Sequence, residues 1–151
     1  MNNDDVIDTV DDLIETTKDG EYGFAACAEH AKSADLKATF SRRADECRQG
    51  AAELQRLVVE LGGEAGTGGS VAGAMHRGWV AVRGTLTTYD DKAMLEECER
   101  GEDRAKAAYR DALDEDLPAN VRALVERQYQ GVQRNHDEIK RLRDSVKAAV
   151  R

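Results

Sequence analysis

The chain has 151 residues, 34% of them charged and 5% aromatic, with a single proline and a net charge of −8; that is enough for one domain with a real core, and the balance favours helices over a sandwich or barrel. Lysines and arginines are interleaved with acids, so no basic stripe can release counterions from nucleic acid, and no nucleic-acid partner is expected. The apolar runs are too short to span a membrane, and the acidic opening MNNDDVIDTVDDLIE lacks the basic start and apolar middle of a secretory signal, which makes the cytoplasm the expected location.

The first helix is expected to follow Asn2 or Asn3 as N-cap and to run over about residues 4–32. Val6, Val10, Leu13, Thr17, Gly20, Phe24, Cys27 and Ala31 recur at alternating spacings of four and three, which puts them on one stripe. Ser33 or Asp35 can cap a second helix over about 35–61, with Phe40, Ala44, Cys47, Ala51, Leu54, Val58 and Leu61 on its stripe. Gly62 and Gly63 end it. The stretch GGEAGTGGSVAG at 62–73 holds six glycines and is not regular structure; Met75, Trp79, Val82 and Leu86 then suggest a short amphipathic helix within a crossover over about 62–89. Asp90 is placed as cap of a third helix over about 90–115, with Leu95, Cys98, Glu102, Ala105, Tyr109 and Ala112 inward. Asp116 and Pro118 mark a fourth, over about 118–149, whose stripe is Val121, Val125, Gln128, Val132, Asn135, Ile139, Leu142 and Val146. Two tight hairpins joined by one long link make an all-α, ferritin-like four-helix bundle, whereas up-and-down bundles have short links throughout.

All three cysteines fall on core stripes at spacings that match no zinc or redox motif. Residue numbers of partners in the first hairpin sum to about 68, which offsets Cys27 from Cys47 by roughly six residues, or about 9 Å of helix rise, and rules against a disulfide between them. The three are therefore expected as reduced, buried fillers.

A polar layer stands out at mid-height. Each helix carries a central glycine, Gly20, Gly50, Gly101 and Gly131, each costing about 0.5–1 kcal/mol relative to alanine; close backbone approach or reserved space would account for them. At the same level lie Glu21, Glu46, Gln49, Glu99, Glu102, Gln133, Asn135 and His136, with Glu102 directly on a core stripe. In the structural reading of this layer, buried polar residues fix helix register, or the acids turn to solvent.

The segments Phe40-x3-Ala44-x-Glu46-x-x-Gln49 and Glu99-Arg-Gly-Glu102-x6-Tyr109 resemble rubrerythrin and its ferritin-like relatives. The whole chain, through DGEYGF at 19–24, the glycine-rich link, HRGW at 76–79, ERGED at 99–103 and HDEI at 136–139, resembles an uncharacterised bacterial family of ferritin-like four-helix bundles, a domain of unknown function. The resemblance implies a fold and no established activity. A ferritin-like di-iron site takes one Glu from each of two helices and Glu-x-x-His from each of the others. Here Gln49 stands where a His belongs and Gln133 where a Glu belongs, leaving Glu21, Glu46, Glu99, Glu102 and His136 as the candidate metal ligands, suited to iron or manganese.

Two functions follow from these residues. In one, the bundle is a non-enzymatic module acting through its surface or as a homo-oligomer; in the other, it is a metal-binding protein of oxidative stress or iron handling with a degenerate mid-bundle site. No nucleophile–base pair, phosphate-cradling loop or CxxC is present in the sequence.

Overall fold

The computed structural model describes residues 2–64 and 91–149, with side chains to residue 146. The glycine-rich link beyond residue 64, its short helix, His76 and the Asp90 cap all lie outside the described residues. Four helices are present among those described: α1 (Asn3–His30), α2 (Ala34–Glu60), α3 (Asp91–Leu113) and α4 (Ala119–Ala149). Together they form an all-α, ferritin-like four-helix bundle.

Local chemistry sets most of the ends. The Asn2 side chain accepts from Asp5 N–H at the start of α1, and Ser33 accepts from Leu36 N–H at the start of α2, each satisfying a backbone donor that the helix itself cannot. Gly62, at φ +91°, terminates α2 in the left-handed region that glycine adopts without strain. Helix α1 stops at His30, two residues short of the expected end, because Ala31 turns extended there. Pro118 precedes α4 rather than opening it, and its carbonyl accepts from Arg122 N–H at 2.9 Å. The same Arg122 donates to Leu113 O and Glu115 O, tying down the turn between α3 and α4.

Each hairpin packs antiparallel, and the hairpins meet along two seams. On one, α1 runs against α3: the Asp91 carboxylate accepts from the backbone N–H groups of Lys32 and Ser33, and Thr17 lies 3.3 Å from the Tyr109 hydroxyl. On the other, α2 and α4 are linked by side chains, with Arg42 on Glu138, Asn135 on Glu46, Arg127 on Glu53 and Gln128 on the Gly50 carbonyl. The stripes read from the sequence face inward, and the apolar core divides in two. One cluster gathers Val6, Val10, Leu13, Leu54, Val58, Tyr109, Val121 and Val125; the other gathers Phe24, Cys27, Phe40, Met94, Leu95, Cys98 and Ile139.

The central glycines differ in what they accommodate. A Cβ on Gly20 would meet the Cys47 sulfur at 3.1 Å, so this is a close approach. At Gly101 and Gly131 the nearest atoms are the ends of Arg104 and Arg134, at 3.8 and 3.7 Å, which leaves room. Gly131→Ala is therefore expected to stabilise the fold by up to about 1 kcal/mol through helix propensity. Gly20→Ala gains less or loses, because the Cys47 sulfur must shift. Urea denaturation of the two variants checks the order.

Candidate functional site

Between the two apolar clusters lies a polar layer built around Arg43. The sequence pattern places Phe40, Ala44 and Cys47 inward, but α-helical spacing lets position 43 serve as well as 44, and it is Arg43 that is buried, at 4% exposure. Its Nε and Nη2 both donate to Glu102 Oε1, at 3.2 and 2.7 Å, and its Nη1 donates to Glu46 Oε2 at 2.7 Å. The guanidinium carbon also stands 5.1 Å above the centre of the Phe24 ring, within cation–π range. Glu102, at 2% exposure, is thus countered by a cation from the other hairpin. Asn135 donates to the same Glu46 oxygen at 3.1 Å and extends the network to α4.

The electrostatics follow from burial. Desolvation pushes the Glu102 carboxyl above its ordinary value, and the pull of Arg43 and His136 offsets that only in part. Burial by itself would lower Arg43; attraction to Glu102, Cys47 and Glu46 outweighs it and holds the guanidinium charged. Desolvation likewise pushes the half-buried Cys47 thiol and the buried Tyr109 hydroxyl up to about 12. Tyr109 donates to Gln128 Oε1 at 2.7 Å, and Gln128 donates in turn to the Gly50 carbonyl, so this side of the layer is satisfied by neutral groups. A cavity of about 410 Å³ runs through the level of the glycines and is lined from all four helices, including Phe24, Cys47, Glu102 and Val132.

The five residues singled out as metal ligands are distributed over three places. Glu46 and Glu102 converge on Arg43. Glu21 pairs with Lys18 at 3.3 Å on α1. Glu99 and His136 come together with a third residue, Asp103, in a group whose ligand atoms all lie within 4.8 Å of one another; among the described residues it is the one such cluster of three or more His, Cys, Asp or Glu groups. The His136 ring is largely buried, and its Nε2 stands 2.6 Å from Asp103 Oδ1. Neither buried ring nitrogen makes a hydrogen bond, and Nδ1 stands 3.6 Å from Asp137 Oδ1. Glu99 is held from its other side by an ion pair with Arg143.

A dinuclear carboxylate centre does not fit this arrangement. It needs two Glu-x-x-His pairs converging on a shared interior. Buried Glu102 and exposed Glu46 already share a guanidinium, and Gln49 is exposed as well. Asp103 and Arg43 were the residues that the sequence did not single out. Asp103 could have been found as the i+4 neighbour of Glu99, and Arg43 as the i+3 neighbour of Phe40.

Residues 5–115 match the family described as Domain of unknown function (DUF2383), and the chain belongs to that family. Two solved structures are similar to it at 14% identity, a level that carries the fold alone. One is a point mutant of Dps1 from Mycobacterium smegmatis, with TM-score 0.80 over 93% of this chain and 96% of that one. The other is a dodecameric thioferritin, the bacterioferritin-related protein of Bacteroides fragilis, with TM-score 0.81 over 99% of this chain and 90% of that one. A comparison with curated proteins finds no match. Among the described residues no helix is long and apolar enough to cross a membrane.

The buried pair makes two expectations. Arg43→Met strands an unpaired carboxylate and should cost about 3–5 kcal/mol of stability, whereas Arg43→Met combined with Glu102→Leu should recover most of that; chemical denaturation of the single and double variants measures it. Because the folded state raises the Glu102 carboxyl above its ordinary 4.5, the folded protein binds that proton more tightly than the unfolded chain. The Glu102 contribution is thus fully present below pH 4.5 and is lost as pH rises through the raised value. Glu102→Gln should remove that component from a stability–pH profile.

Proposed function

We propose that this chain is a non-enzymatic ferritin-like module that binds one divalent cation, Mn(II) or Fe(II), at Glu99, Asp103 and His136. The observation that carries the reading is the state of His136: a largely buried imidazole, both nitrogens without a directed hydrogen bond, set against two carboxylates. Carboxylate oxygens and an imidazole suit first-row divalent cations, and ligands on two adjacent helices leave the remaining positions to water. Mutual separations within 4.8 Å are close to what a cation about 2–2.3 Å from each ligand requires. Arg143 competes for Glu99, so cation binding involves releasing that ion pair. The non-enzymatic part of the reading is supported by Arg43, whose charge serves Glu46 and Glu102 where a catalytic cluster would need them free.

Titration of the chelator-treated protein with Mn(II), followed by electron paramagnetic resonance, should give one bound ion per chain. His136→Ala should weaken binding at least tenfold, and Arg143→Gln should strengthen it by freeing Glu99. Glu102→Gln serves as the interior control and should leave affinity unchanged. Loss of binding in Glu102→Gln with retention in His136→Ala would sink this reading in favour of an interior site, and absence of binding at millimolar Mn(II) would leave the helical module alone. Self-association is part of the same proposal, by analogy with the dodecameric neighbour of the same fold; sedimentation velocity showing only monomer would remove it.

A further inference from the structure

Hairpin register offsets Cys27 from Cys47 by about six residues, and the tertiary structure brings Cys27 to a different partner. On the seam between α1 and α3 the Cys98 thiol donates to the Cys27 sulfur across 3.5 Å. Both residues are buried, at 2% and 7% exposure, and both line the mid-bundle cavity. That cavity is lined by buried Glu102 and also by Arg104 and Arg127, whose side chains are exposed, so its wall reaches from the interior to the surface.

We propose that Cys27 and Cys98 form an oxidisable dithiol that closes, on reaction with a peroxide, to a disulfide joining the two helical hairpins. The chemistry balances with hydrogen peroxide as the sole oxidant. Sulfur of one thiol attacks a peroxide oxygen, the O–O bond breaks, and the departing hydroxide takes the thiol proton, giving a sulfenic acid and one water. Sulfur of the second thiol then attacks the sulfenic sulfur, the S–O bond breaks, and the hydroxyl leaves with the remaining thiol proton as a second water. Two thiols are oxidised by two electrons, and one peroxide is reduced to two waters.

The geometry asks little of the fold. A disulfide needs its sulfurs about 2.05 Å apart, so closure from 3.5 Å moves each sulfur by less than about 1 Å. Cys47 also lines the cavity, but it lies under the Gly20 backbone, 3.1 Å from where a Cβ would stand there.

The test is mass spectrometry of the intact wild-type chain, incubated with excess hydrogen peroxide, then denatured and alkylated without reductant. The expected result is loss of two hydrogens, one alkylated cysteine at Cys47, and a proteolytic fragment joining Cys27 to Cys98. The oxidised protein should melt roughly 5–10 °C higher than the reduced form, because the bond closes a long loop of the unfolded chain, and reductant should reverse the shift. Cys47→Ala should react as wild type does. A bridge containing Cys47, a disulfide between chains, sulfinic acid at either residue without a bridge, or three alkylatable thiols after prolonged exposure would each overturn the proposal. Mn(II) binding to the oxidised protein is expected to be unchanged, which separates this proposal from the cation reading.

Discussion

A guanidinium buried between two apolar clusters is the constraint on which the rest of this bundle depends. Taking Arg43 and Glu102 out of water is expensive, and their attraction offsets the penalty only if the hydrogen-bond geometry holds. Glu102 Oε1 takes two of the Arg43 donors and Glu46 takes a third. Since Arg43 belongs to the first hairpin and Glu102 to the second, the pair fixes the register between hairpins that no short loop joins. Sliding either by one turn would leave both charges stranded, a penalty that an all-apolar interface would not impose.

The same pair explains the division of labour among the acids. In a ferritin-like interior, carboxylates crowd together and a metal relieves their repulsion. Here a side chain of the protein supplies the positive charge permanently. Glu46 and Glu102 both bond to that guanidinium, while Glu99 and Asp103 meet His136 at a second place, between α3 and α4. Tyr109 and Gln128 complete the layer with neutral hydrogen bonds and leave a cavity that reaches the cysteines.

Arginine in a bundle core is also a packing device. Its flat face lies over Phe24 while its edge meets the carboxylates, so a single side chain closes one apolar cluster and opens the polar layer. Gly20 has a related role, since a Cβ there would crowd the Cys47 sulfur at 3.1 Å. The other central glycines have no comparable contact, and reserved space describes Gly101 and Gly131 better than close approach does.

The sequence by itself determined the helices, their inward stripes and the ferritin-like arrangement, because apolar periodicity, capping side chains and glycine stops are local signals that tertiary contacts reinforced. It also located the polar layer, since Glu102 interrupts an apolar stripe and neighbouring acids share its height. It did not determine which partners the polar groups choose. Positions 43 and 44 are equally compatible with the stripe of α2, and only packing against Phe24 and Glu102 decides that the arginine turns in. Likewise, hairpin register relates Cys27 to residues of α2, while the sulfur it meets belongs to α3 on the far side of the crossover. Such pairings depend on how the two hairpins rotate and slide against each other, and a three-dimensional fit of charge and volume sets that.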